Sequence, residues 1–451
     1  MVEVVQDVME TVKGARQARG VPLQDRGQGA SGAERCLVQP RSLRVLYCSP
    51  TAGLFGAERS LLSLLIQLDR RVVEPMVLLP SEGELAQAVR ALGIPVIVNA
   101  DCVPSVSVPM VCAAAHVIRL AKILRGQRID VFHLNLWFPP MDLAVLSAAA
   151  RLAGSAFVIH IRNNMKRSTD YLDPCDRFCF AGADRLICVT EFVRRALVTH
   201  TPGKRFNLDR ARTSVIGRGY VVGRPLPSAA GVERLRVSLQ VPTGAPVVGM
   251  VAALHPIKNQ ELFLQAAALV RDRLPSARFL VVGRPYDGSD IGYVDRLQRL
   301  VATLGLSREV QFLGYRQDVP ALLQLIDIIV LPSRSEALGG ILVEAMMAGK
   351  PVVAANVDGI PEVVLDREVG FLIDGYEPAP YAEHIIHLLM NRTLARAMGE
   401  RGRVLAAERF DAARTARQVE AVYAAIRKLS LARRMRNAGI AVGLRVVRRW
   451  L

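Results

Sequence analysis

The 451 residues hold no uninterrupted apolar run of the length a membrane span needs, so no spanning helix is expected. Residues 1–41 have no hydrophobic signal core; rich in Gly, Gln, Arg and Asp, they read as a disordered extension. Aromatic residues make up only 5% of the chain. No zinc-finger, RNP-type or basic-zipper pattern accompanies them, so nucleic acid is not an expected partner. Cysteine is sparse and odd in number, seven at positions 36, 48, 102, 112, 175, 179 and 188. Cys48 and Cys188 sit in apolar strand-like runs, which favours reduced thiols and a cytoplasmic protein. Cys175 and Cys179 form the one close pair, and no second pair or ligand-spaced histidine makes a zinc site of them. Acidic residues are the scarcer charge, 41 against 58 Lys and Arg, for a formal net charge of +17. That excess calls for an anionic partner.

Half of the residues are hydrophobic, and a chain this long exceeds one core and divides into two or three domains. The stretch most informative about function is 328–356, IIVLPSRSEALGGILVEAMMAGKPVVAAN. Ile328 to Leu331 reads as a parallel strand buried on both faces and stopped by Pro332. A small polar loop from Ser333 leads to a helix that begins near Gly340, and Gly349 with Pro351 ends it before the next strand, Val352 to Ala355. A helix N-terminus behind a glycine pair offers unpaired N–H groups and the positive end of the macrodipole, which suits a phosphate or diphosphate. Glu336 and Glu344 flank this helix start, eight residues apart. Carboxylates repel a bare phosphate but accept hydrogen bonds from sugar hydroxyls. The ligand they fit together is part anion and part polyol, the character of a nucleotide sugar.

The order Glu336, seven residues, Glu344, then AMMAGKPVVA resembles the donor-binding signature of retaining glycosyltransferases of the GT-B fold, in particular glycosyltransferase family 4. The resemblance covers roughly residues 43 to 428. It implies an α/β chain of two Rossmann-like, doubly wound domains facing a central cleft: an acceptor domain over 42–222, a connection over 223–245, and a donor-nucleotide domain over 246–428 whose last helix crosses back onto the first domain. Alternating apolar strands and helices in both halves agree with parallel sheets covered on both faces.

Further positions follow from the same likeness. The loop PTAGLFGAE after the first strand matches at Gly56, Ala57 and Glu58, with Phe55 where a second glycine often stands. His160, at the end of the strand AFVIHI, matches a histidine that faces the reacting sugar; His133, ending IDVFHLN, is the competing candidate. Lys258 matches the lysine of a basic pair that clamps the donor diphosphate, whereas Ala253 stands where the arginine of that pair is common, leaving His255 or Arg284 as candidate replacements. Gly314, Tyr315 and Arg316 fall where the base is seated. Donor contacts are thus expected from Gly56, Lys258, Tyr315, Arg316, Glu336, Leu338, Gly339, Gly340, Ile341 and Glu344, with His160, Glu336 and Lys258 closest to the chemistry. With no Asp-x-Asp motif at a strand end, stabilisation of the leaving diphosphate is expected without a metal, from Lys258 and the amides near Gly339 to Ile341. No cofactor is expected beyond the nucleotide-diphosphate sugar itself.

The expected activity is sugar transfer to a glycan or lipid-linked acceptor in cell-surface polysaccharide or glycolipid synthesis. An epimerase or polymerase of the same fold, or an inactive nucleotide-sugar-binding scaffold, are the alternatives. After Glu420 no acidic residue occurs, and residues 421–451 carry eight Lys or Arg around the apolar AGIAVGL. This basic amphipathic tail, 429–451 above all, reads as an anchor to an anionic membrane surface, placing the protein peripherally on the cytoplasmic face. Arg119, Lys122, Arg125 and Arg128, three residues apart, form a second candidate patch.

Overall fold

The computed structural model describes residues 41–54, 56–102, 110–135, 140–162, 180, 182–199, 210–222, 227–285 and 291–428. The expected extension (save Arg41), the tail 429–451, Phe55, Cys175 and Cys179 lie outside them.

The first half is β1 (Leu43–Cys48), α1 (Gly56–Gln67), β2 (Val73–Leu79), α2 (Glu84–Ala91), β3 (Val96–Val98), α3 (Met110–Gly126), β4 (Val131–Asn135), α4 (Pro140–Ala153), β5 (Ala156–Ile161), β6 (Arg185–Cys188), α5 (Glu191–Thr199) and β7 (Thr213–Val215). The second half begins with α6 (Ala229–Ser238) and continues through β8 (Val247–Val251), α7 (Gln260–Arg273), β9 (Arg278–Val282), α8 (Ile291–Thr303), β10 (Val310–Phe312), α9 (Val319–Leu325), β11 (Ile328–Leu331), α10 (Gly340–Met347), β12 (Val352–Ala355), β13 (Gly370–Ile373), α11 (Pro378–Met390) and α12 (Arg392–Arg409). A last helix, α13, covers 412–428.

All paired strands run parallel, in the orders β3-β2-β1-β4-β5-β6-β7 and β10-β9-β8-β11-β12-β13. The first six strands of each sheet therefore repeat one doubly wound order, 3-2-1-4-5-6. Strand alternation buries both faces. In β1, Leu46 and Cys48 enter one core while Val45 and Tyr47 enter the core opposite. In β11, Ile328 and Val330 face one side and Ile329 and Leu331 the other. This is why these strands are written as unbroken apolar runs rather than as alternating ones.

Within 223–245, read as the connection, residues 229–238 form α6. Ser228 caps it by accepting from Gly231 N, and Val232, Leu235 and Leu239 pack against the second domain's core. The chain crosses between domains twice, and the crossings lie side by side: Tyr220 N donates to Phe410 O (2.7 Å) and Ala412 N to Tyr220 O (2.8 Å). Beyond the second crossing, α13 returns to the first domain and buries Ala416, Val419, Val422, Tyr423 and Ile426 in its core. The two domains also touch directly. Glu362 accepts from Glu191 N (2.7 Å) and Phe192 N (2.6 Å), putting a carboxylate at the N-terminus of α5, and Thr190 Oγ1 donates to Ala337 O (2.9 Å).

Candidate active site in the interdomain cleft

In a doubly wound sheet a ligand binds outside the carboxyl ends of the strands, where the strand order reverses. Those points are β1/β4 in the first sheet and β8/β11 in the second. The segments after three of these strands, β1, β8 and β11, contain the predicted site residues Gly56, Lys258, Glu336 and Gly339.

On the second domain, the loops after β8 and β11 are tied together by Arg334 N donating to Ile257 O (2.8 Å). This brings Lys258 Nζ to Glu336 Oε1 at 2.6 Å, and Ser333 Oγ also donates to that oxygen at 3.1 Å. Both side chains are largely buried, 24% and 13% exposed, so the lysine charge is balanced locally and a ligand placing an anion beside a hydroxyl would sit astride the pair. Asp358 holds the loop from behind, accepting from Ser335 Oγ at 2.6 Å and Glu336 N at 3.3 Å. Gly339 adopts φ +75°, a left-handed conformation that turns the chain into α10, and no side chain caps that helix. Its first N–H groups therefore face the cleft without a side-chain acceptor. At the far end Gly349 N donates to Met346 O and Lys350 N to Ala345 O, with Gly349 at φ +72°, a Schellman stop.

On the first domain, Asn135 and His160 lie side by side in the β4/β5 register. Arg162, one step further along the same face, donates to Asn135 Oδ1 (2.6 Å), to Ser60 Oγ (2.6 Å) and, at 3.4 Å, lies against His160 Nδ1. With Nδ1 accepting, His160 carries its proton on Nε2, which is buried and has no hydrogen-bond partner. Burial, then Arg162 and His133, hold the His160 imidazole well below the usual histidine range. Burial first and Arg162 second push His133 down to about 3. Both rings are therefore neutral at physiological pH. His133 packs 5.6 Å from His160, centroid to centroid, and its Nδ1 is 2.6 Å from Tyr423 Oη on α13. In the β4/β5 register it lies one step deeper than Asn135 and His160, and both rings are buried.

The chain matches the model for Glycosyltransferase Family 4 over residues 56–224 and that for Glycosyl transferases group 1 over residues 231–405. It is 30% identical over 331 residues to a D-inositol 3-phosphate glycosyltransferase of Salinispora tropica, covering 69% of this chain and 67% of that protein. The chain belongs to the family 4 glycosyltransferases. A similar relative from Corynebacterium urealyticum, also 30% identical, is matched over 58% of this chain and only 63% of its own length. Among solved structures, this family 4 chain superposes on Anabaena Alr3699/HepE in complex with UDP and glucose with a TM-score of 0.73 at 24% identity, covering 85% and 99% of the two chains. It also superposes on WaaG, a glycosyltransferase involved in lipopolysaccharide biosynthesis, with a TM-score of 0.62 at 18% identity, covering 83% and 98%. At these identities the likeness shows the GT-B fold.

In this family 4 chain the predicted donor residues fall into three groups. Lys258, Glu336, Gly339, Gly340 and Glu344 converge on the start of α10, and Gly56 faces them across the cleft. Leu338 is buried in the domain core, and Ile341 packs partly against it, so only their backbones reach the site. Tyr315 and Arg316 lie apart, toward a cavity of about 370 Å³ lined by Leu254, Gly283, Arg284, Phe312 and Gly314. Tyr315 is 38% exposed, with the Arg284 guanidinium 4.9 Å over its ring, whereas Arg316 is held by Asp318 in a fork of 2.6 and 2.8 Å. Of the two residues suggested as substitutes for the arginine missing at Ala253, Arg284 stacks on Tyr315, and His255 Nδ1 accepts from Ile257 N.

Sequence reasoning missed Arg162 and Arg218. The first was readable from strand alternation, which puts residue 162 on the face of His160. The second, in the turn after β7, had only its place between Gly217 and Gly219 to mark it. Gly56 and Glu58, taken as one motif, do different things: Glu58 is buried and accepts from Ser49 Oγ (3.3 Å) and Thr51 Oγ1 (2.8 Å), which shapes the loop after β1. Of the basic helix residues, Arg119 pairs with Asp101 at 2.6 Å, Arg125 donates to Leu152 O, and Arg128 lies past the helix end at φ +51°.

Proposed function

We propose that this chain transfers a sugar from a nucleoside-diphosphate sugar to a glycan or lipid-linked acceptor with retention of configuration and without a metal. The observation that carries this reading is the convergence of Lys258, Glu336 and an uncapped helix start at one switch point, with a neutral histidine, His160, on the strand next to the other. Transfer breaks the bond between the anomeric carbon and the diphosphate, leaving negative charge on the departing oxygen and positive charge on the carbon. Lys258 and the amides of Gly340 and Ile341 stabilise the first. Glu336 holds donor hydroxyls beside the second, Glu344 holds the ribose, and His160 meets the sugar from the acceptor side. Because the leaving group is matched by fixed donors, chelator is expected to leave most activity intact. An assay pairing a panel of nucleotide sugars with acceptors, inositol phosphate among them because of the relatives' names, tests this; a strict requirement for manganese or magnesium contradicts the metal-free route.

The setting we propose is peripheral, on the cytoplasmic face of a membrane, in cell-surface polysaccharide or glycolipid synthesis. No helix among the described residues is long and apolar enough to cross a bilayer, and the basic run 429–451 follows directly on α13. Each base near an anionic bilayer contributes on the order of 1 kcal/mol. The full chain is expected to sediment with anionic vesicles at low salt and a chain ending at Lys428 to be largely released; equal binding by both would remove the tail as anchor.

A further inference from the structure

The cleft holds positive charge that the residues so far assigned do not use. Lys258 is balanced by Glu336, but two guanidinium groups on the first-domain side are not matched in this way. Arg162 is buried and, among the described residues, bonds only neutral acceptors. The carboxylate acting on it, Glu58, is not in hydrogen-bond contact with it and accepts through Oε1 from Ser49 and Thr51. Among the described residues Arg218, 15% exposed, finds a carboxylate only at 3.9 Å, Glu344, and its buried Nε has no hydrogen-bond partner. The two are close enough that, after burial itself, Arg218 is the main cause pushing the Arg162 guanidinium down to about 9. Neighbouring buried cations with so little compensation are costly, and an anion between them relieves the cost.

The glycines show where that anion would lie. A Cβ on Gly56 would come within 3.3 Å of Arg218 Nη1, and one on Gly340 within 2.8 Å of the same atom and 2.6 Å of Tyr220 Oη. The guanidinium thus occupies the gap between the first-domain glycine loop and the first residue of α10, made possible by two absent side chains. Tyr220 fixes it there: the Arg218 Cζ lies 4.8 Å over its ring, and Tyr220 Oη donates to Gly340 O at 3.0 Å. An arginine fork suits two phosphate oxygens at once, which a single ammonium cannot match.

We propose that Arg218, reaching from the turn after β7 across the cleft, is a donor-binding residue that grips the diphosphate against the N-terminus of α10, in place of the arginine absent at Ala253. It rests on the nucleoside-diphosphate reading above. Calorimetric titration of the full chain with inorganic pyrophosphate, with nucleosides and with their 5′-diphosphates separates the two ideas. For the wild type, the diphosphate is expected to bind much more tightly than its nucleoside. Arg218→Gln should weaken pyrophosphate and nucleoside diphosphate by about 10- to 100-fold while nucleoside affinity stays within about twofold, and Arg218→Lys, which keeps the charge but loses the fork, should fall between. Undiminished pyrophosphate binding in either variant overturns the assignment. So does an equal loss for nucleoside and diphosphate, which marks a merely structural arginine. A wild-type chain that binds none of these ligands defeats the functional reading itself.

Discussion

The two sheets share one strand order, yet their switch points are furnished with opposite chemistry. The second domain presents a balanced ion pair, Lys258 and Glu336, beside a helix end whose N–H groups are free of side-chain caps. The first presents two neutral imidazoles backed by a tyrosine from α13 and a guanidinium held by neutral acceptors. On the proposed reading one half meets an anion flanked by hydroxyls, and the other meets a neutral sugar and directs spare positive charge toward the cleft. Identical topology therefore fixes where a ligand lies, and the loop residues decide which part of it each half reads.

The division of labour is sharpest at Glu336. Removing its carboxylate should abolish the contact to the donor sugar while leaving the nucleotide's own contacts, so Glu336→Ala is expected to lower kcat about 100- to 1,000-fold with nucleoside-diphosphate affinity within about threefold. Steady-state kinetics beside equilibrium titration would break the comparison if affinity fell as far as turnover.

A smaller effect tests the other half. His133 and His160 stay neutral in the folded chain but take up protons near pH 6.5 once unfolded, so below that pH the unfolded state binds more protons. Their contribution to stability is complete above pH 6.5 and is lost as pH falls below it, in the case of His133 down to about 3. One unit below 6.5 an imidazole held neutral is expected to cost on the order of 1 kcal/mol. Urea unfolding at pH 7.5, 6.5 and 5.5 measures this, and a stability unchanged down to pH 5.5 would show that the rings are not held neutral.

Much of the architecture was legible because the physics is local. Unbroken apolar runs such as Ile328 to Leu331 announce strands covered on both faces, and Gly349 followed by Pro351 marks a helix end whose bonds the structure contains. The start of α10 was readable for the same reason, as was its pair of glutamates. What could not be read depends on partners distant in sequence. The match between Lys258 and Glu336 spans 78 residues, and Arg218 acquires its place only when the turn after β7 is laid against residues 410–412 and the start of α10. Its role has no local pattern. Leu338 shows the converse: it lies in the right loop, but its side chain is needed by the core.

The start of α10 is proposed as a nucleoside-diphosphate site with the ribose on Glu344. Thermal unfolding of the wild type and of Glu344→Ala across a panel of nucleoside diphosphates tests it most directly, because a ligand that binds only the folded state raises the melting temperature. One diphosphate should stabilise the wild type by several degrees at a hundredfold excess over its Kd, about 2.7 kcal/mol, and Glu344→Ala should lose most of that shift. No shift with any nucleotide, or an equal shift in both proteins, would contradict it.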